Sequence, residues 1–178
     1  MTSLPRRNES AGEPADRVHD LVLSYLSQFP WADVTALEAN LALHETATAM
    51  QRALARFISP YGFALGPPRY LVVRAVFLAE AGRLSLSEIA KRIGVTTTNV
   101  TNLIDGLERD GWVERQANPA DRRMTYVQLT DLGKERCGEL IPATARLTSD
   151  LFDVLTGEEK QQLIEILGKL RTVSEERA

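Results

Sequence analysis

The stretch that decides the reading of this chain is Ser85–Thr130, SLSEIAKRIGVTTTNVTNLIDGLERDGWVERQANPADRRMTYVQLT. Ser85 is followed three residues later by Glu88, the capping-box spacing in which each side chain meets an orphan amide at a helix start. A helix therefore begins near Leu86, with Ile89, Ala90 and Ile93 as its apolar face, and Gly94 supplies the left-handed residue that ends it. Thr96 is suited to cap a second helix, in which Val100, Leu103, Ile104 and Leu107 recur at i, i+3, i+4 and i+7 and face inward. The outward face carries Thr97, Thr98, Thr101 and Asn102, and Thr96 and Asn99 complete the candidate recognition set. These are short hydrogen-bonding side chains at the positive end of a helix dipole, on a cylinder narrow enough for the major groove.

Beyond Gly111, Trp112–Arg115 and Thr125–Leu129 read as two strands, the second with Val127 and Leu129 on one face and Tyr126 and Gln128 on the other. The loop between them turns at Asn118-Pro119 and presents Arg122 and Arg123, a pair able to reach a phosphate or the minor groove, with Asp121 placed to brace Arg123. Arg115 joins these three as a candidate wing contact, and Ser85, Ser87 and Lys91 are candidate phosphate contacts. The outline is that of a winged helix-turn-helix, which predicts a mainly α fold with a small β-wing.

The ordered set Asp121-Arg122-Arg123, Leu129-Thr130 and Gly133 resembles the wing signature of the MarR family, the multiple-antibiotic-resistance-type regulators. The resemblance extends through Leu84–Ala90, Gly94-Val95-Thr96 and Leu107–Arg115, and covers roughly residues 45 to 172. It implies a homodimeric transcription regulator, most often a repressor, bound to a pseudo-palindromic double-stranded operator and released by a small aromatic or phenolic effector. Asn102 and Gly106 stand where many members carry arginine. Read as two lost contacts, they point to an operator rich in adenine and thymine, since asparagine pairs best with adenine. A winged-helix module for protein–protein contacts is the alternative, and would leave the polar helix face and Arg122-Arg123 incidental.

The flanking segments suit a dimer. Residues 1–15 hold almost no apolar side chain and read as a disordered tail. N-terminal dimerisation helices are expected over 16–66: one striped by Val18, Leu21, Val22, Tyr25, Leu26 and Phe29, and a longer one from near Thr35 to Ile58. The winged domain spans 67–130, opening with a nearly all-apolar helix after Pro67-Pro68. In the C-terminal dimerisation segment, 131–178, Thr130 caps one helix that Pro142 bends partway, and Thr156 with Glu159 starts another striped by Leu163, Ile166, Leu167, Leu170 and Val173.

Composition excludes several classes. The chain has 178 residues and a net charge of −3, yet residues 83–123 hold seven basic against six acidic side chains and form its one net-positive stretch. That balance predicts moderate, salt-dependent binding to DNA rather than general polyanion binding. No apolar run is long enough for a membrane span, and the first residues lack the apolar core of a secretory signal, so a cytoplasmic protein is expected. His44-Glu45 opens like a zinc motif, but Thr48 stands where the second histidine belongs, so no metal and no cofactor is expected. A single cysteine, Cys137, can form no internal disulfide and reads as a small helix residue. No catalytic constellation is legible, so an enzyme is not expected. Trp31, His44 and Arg69 are the residues suited to line an effector cleft, each with an ordinary structural role as well.

Overall fold

The computed structural model describes residues 22, 24, 25, 28–61, 66–117 and 125–177. Its elements are α1 (Val34–Ile58), a 3-10 turn (Ser59–Tyr61), α2 (Pro67–Phe77), β1 (Arg83–Ser85), α3 (Leu86–Ile93), α4 (Thr97–Arg109), β2 (Val113–Ala117), β3 (Thr125–Leu129), α5 (Asp131–Phe152) and α6 (Gly157–Glu176). The fold is mainly α with one small antiparallel sheet, as the sequence predicts. The expected tail, residues 1–15, lies outside the described residues.

The chain divides into two compact units, residues 1–53 and 54–178. In the first, Val22, Ser24, Tyr25 and Gln28 are helical. Tyr25, Phe29 and Trp31 form an aromatic row with ring centroids 6.1 Å apart at each step. Asp33 starts α1 by accepting the Ala36 amide on Oδ1 at 3.1 Å, the role of an N-cap carboxylate.

The second unit is built around α2. Val72, Val73 and Val76 of α2 are fully buried with Ile58, Ile89, Val100, Ile104, Leu107, Val127 and Leu140, so one cluster joins the helix-turn-helix, the sheet and α5. Burial of each such side chain contributes roughly 1.5–3 kcal/mol. The nearly all-apolar helix expected after Pro67-Pro68 is α2, which stops at Phe77, and Leu78 beyond it is exposed. The buried Tyr70 hydroxyl lies 2.7 Å from Thr144 Oγ1 and ties α2 to α5. Thr144 donates onward to a carbonyl one turn back, leaving its oxygen to accept from Tyr70.

The sheet has three strands in the order β1-β3-β2, not the two of the expected ribbon. β1 pairs Leu84 with Val127 and Ser85 with Tyr126. Three residues, Arg-Leu-Ser, are too few to show period-two alternation, so only the pairing partner reveals the strand.

Gly133 explains the spacing of Leu129-Thr130 and Gly133. Thr130 caps α5 by accepting the Gly133 amide at 2.9 Å and donates its hydroxyl to the Gly111 carbonyl at 2.7 Å. This draws the helix start so close to the end of α4 that a Cβ on Gly133 would stand 2.0 Å from the Trp112 carbonyl oxygen. α5 then continues through Pro142, while α6 buries none of its residues.

Candidate nucleic-acid interface

The capping box at α3 is formed as its spacing predicts. Ser85 Oγ accepts the Glu88 amide at 3.3 Å, and Glu88 Oε2 accepts both the Ser85 amide and its hydroxyl at 2.7 Å. The Ser85 hydroxyl and amide, helped by Arg92, hold the Glu88 carboxyl below the usual carboxylate range. Ser85, expected as a phosphate contact, is engaged in this cap. It is buried, and its hydroxyl is spent inside the cap. Ser87 and Lys91 are exposed on the same helix.

Gly94 adopts φ 71° and ψ 36°, the left-handed conformation that stops α3 and lets the chain re-enter a helix three residues later. Thr96 caps α4 by accepting the Asn99 amide at 3.3 Å. Thr97, Thr98, Asn99 and Asn102 are exposed, while Thr101 is half-buried and donates its hydroxyl to the Thr97 carbonyl at 3.1 Å. Behind the exposed Thr97, Thr98 and Asn102, the side chains of Val100, Ile104 and Leu107 anchor the helix in the core.

Three acidic residues occupy the second half of α4 and the residue after it, an unfavourable charge for a helix that approaches phosphate. Each meets an arginine. Arg115, expected as a wing contact, ion-pairs with Asp105 through Nη2 and with Glu108 through Nη1. Its amide also donates to Glu108 Oε1 at 3.2 Å, so this residue pins β2 to α4. Arg69 pairs with Asp110 at 3.0 Å. Gly106, read from sequence as a missing DNA contact, is buried against the Arg69 guanidinium.

The outer face of the sheet carries residues that the sequence reading missed. The Arg83 guanidinium lies 4.6 Å from the Tyr126 ring centroid and donates to Gln116 Oε1 at 3.2 Å, while Gln128 donates to Glu114 at 2.6 Å. Arg83 could have been found only with β1 in hand, since its neighbours Gln116 and Tyr126 are 33 and 43 positions away in the chain. Asp121, Arg122 and Arg123 lie outside the described residues.

Residues 71–125 match the family model described as MarR family. The transcriptional repressor MprA of Escherichia coli is 38% identical over 164 residues, covering 91% of this chain and 89% of that protein. The chain belongs to the MarR family. The HTH-type transcriptional repressor YetL of Bacillus subtilis is 32% identical over 138 residues, 78% of this chain and 81% of its own length. A MarR family regulator from Streptomyces coelicolor, solved in complex with DNA, superposes with a TM-score of 0.71 at 28% identity, covering 83% of this chain and 94% of the other. This MarR-family protein is accordingly a transcriptional regulator of winged-helix fold, and its relatives are regulators rather than enzymes. Among its described residues no helix is long and apolar enough to cross a membrane.

Of the three residues suited to an effector cleft, Arg69 is committed to Asp110, and His44 donates from Nδ1 to the Asn40 carbonyl at 2.9 Å. Trp31 lines an open cup of about 430 Å³ in the first unit together with Tyr25, Phe29 and Leu37. Cys137 is fully buried in the core, and burial pushes its thiol up to about 11. A thiol in that setting is neutral and sheltered. In the native protein at pH 7.5 it is expected to resist an aromatic disulfide reagent until denaturant is added; labelling at the rate of a free thiol would contradict this.

Proposed function

We propose that this protein is a cytoplasmic repressor that binds a pseudo-palindromic operator as a homodimer, through α4 and the wing of each subunit. The observation that carries the reading is the start of α4, where Thr97, Thr98 and Asn102 stand exposed on a helix capped at its first turn and anchored in the core. Thr96, Asn99 and Thr101 shape that turn, and Ser87 and Lys91 are the phosphate contacts that remain on α3. In this reading residues 67–130 contact DNA and the segments 16–66 and 131–178 hold the dimer. The support for a dimer is α6, on which Ile166, Leu167, Leu170 and Val173 form an exposed apolar stripe that a partner helix would cover.

Two-fold symmetry sets the half-sites roughly 10 base pairs apart. Selection from random duplexes tests the reading: a palindrome of that spacing with adenine–thymine-rich half-sites is expected, on the strength of Asn102 alone now that Gly106 faces inward. Recovery of no sequence, or binding indifferent to salt, would sink it. At the wing, Arg123 inserts in the minor groove with Asp121 bracing it and Arg122 beside it on phosphate. Arg123→Ala then costs about 1–3 kcal/mol per protomer, read as operator affinity by fluorescence anisotropy. Wild-type affinity in that variant would refute the assignment.

A small aromatic or phenolic effector releases the DNA by binding better to the spacing of the wings that cannot engage the operator. The aromatic cup lined by Tyr25, Phe29 and Trp31 matches such a ligand in size and polarity. Displacement of labelled operator by a panel of phenols, with Trp31 emission followed in parallel, checks both halves of this statement.

A further inference from the structure

A glycine inside a helix costs about 1 kcal/mol relative to alanine, so Gly106, buried in the last turn of α4, calls for a reason. The reason is visible in its surroundings. A Cβ at this position would stand 2.0 Å from Nη2, 2.2 Å from Cζ and 2.6 Å from Nη1 of Arg69. The guanidinium thus occupies the notch left by the missing side chain. From there Nη1 donates to Asp110 Oδ2 at 3.0 Å, and the Asp110 amide closes the helix on the Gly106 carbonyl at 3.1 Å. The Arg69 side chain is 17% exposed and that of Asp110 41%, so the guanidinium end of the pair is sheltered while the carboxylate end faces solvent and is screened there. Arg69 itself follows Pro67-Pro68 in the first turn of α2, where the proline rings restrict the backbone and give its side chain a defined origin.

We propose that Arg69 is a positioning residue for DNA recognition: seated on Gly106 and held by Asp110, it sets the rotation of α4 against α2 and so the presentation of Thr97, Thr98 and Asn102. The proposal rests on the reading that α4 meets the operator. A lysine could not replace it, because only a planar guanidinium fills the notch and reaches the carboxylate together.

The test uses the full chain and compares Gly106→Ala, Arg69→Met and the double variant with wild type on the selected operator duplex. Gly106→Ala changes no charge and improves helix propensity, yet it evicts the guanidinium. It is expected to weaken operator binding at least 10-fold while keeping the wild-type salt slope, since no phosphate contact is lost. Arg69→Met weakens binding similarly, and the double variant is no weaker than either single one, the signature of residues acting as a unit. A readout without DNA runs alongside: Asp110→Asn lowers the melting temperature of wild type but leaves that of the Gly106→Ala background unchanged. Gly106→Ala binding within two-fold of wild type, or additive effects in either cycle, overturns the proposal. If wild type selects no duplex, operator recognition fails, and the melting cycle still decides whether the three residues form one unit.

Discussion

Gly133→Ala is expected to destabilise the protein by about 3 kcal/mol, at the upper end of the usual cost of overpacking. Helix propensity alone predicts the opposite, a gain of about 1 kcal/mol for alanine over glycine. Geometry decides the sign. The added Cβ would lie 2.0 Å from the Trp112 carbonyl oxygen and 3.0 Å from its carbon, and both are backbone atoms that cannot swing aside. Relief requires α5 to back away from the end of α4. That breaks the Thr130 bridge, in which its amide reaches the Trp112 carbonyl at 3.2 Å and its hydroxyl reaches Gly111. The shift would also strain the Tyr70–Thr144 contact further along α5. Urea denaturation followed by circular dichroism at fixed protein concentration checks this, concentration being held because assembly would stabilise the fold. A midpoint at or above wild type would show that the approach of α5 is not what requires glycine.

Glutamates at both Leu167 and Leu170 are expected to give a monomer whose operator affinity is at least about 100-fold below wild type. The two leucines sit one turn apart on the exposed face of α6, 38% and 52% accessible in the single chain. Covering each by a partner subunit is worth roughly 1.5–3 kcal/mol, and a glutamate there adds the penalty of burying an unpaired charge. Loss of the dimer converts one bivalent encounter into two independent weak ones, and linkage of this kind ordinarily contributes a factor of about 10²–10⁴. Light scattering coupled to gel filtration reads the mass, and anisotropy reads the affinity. A variant that stays dimeric would move the interface elsewhere. A monomer that kept full affinity would instead remove dimerisation from the mechanism.

The parts of this fold legible from sequence are those governed by neighbours in the chain. Ser85 with Glu88, Gly94, Thr96, and Thr156 with Glu159 act over three or four residues, and each cap forms as its spacing predicts. The apolar recurrence at Val100, Ile104 and Leu107 likewise names the buried face of α4, because helical periodicity is a local property. Side-chain roles were less legible. The spacing marks Ser85 as a cap, but shows neither its burial nor the second bond by which its hydroxyl donates to Glu88. Arg115 looked like a free cation beside a basic loop, since nothing local shows that Asp105 and Glu108 on the preceding helix face it.

The sequence by itself determined the helix-turn-helix, the polar start of α4 and the family to which the chain belongs. Those follow from caps, periods and an ordered motif that short-range sterics and hydrogen bonding make unambiguous. Tertiary structure alone decided that β1 completes the sheet, that Gly133 admits a carbonyl and Gly106 a guanidinium, and that Arg69 and Arg115 serve the protein's own carboxylates. The reason is distance along the chain: Arg69 and Asp110 are 41 positions apart, and the partner of a charge or the occupant of a glycine notch is chosen by packing, which no local pattern encodes.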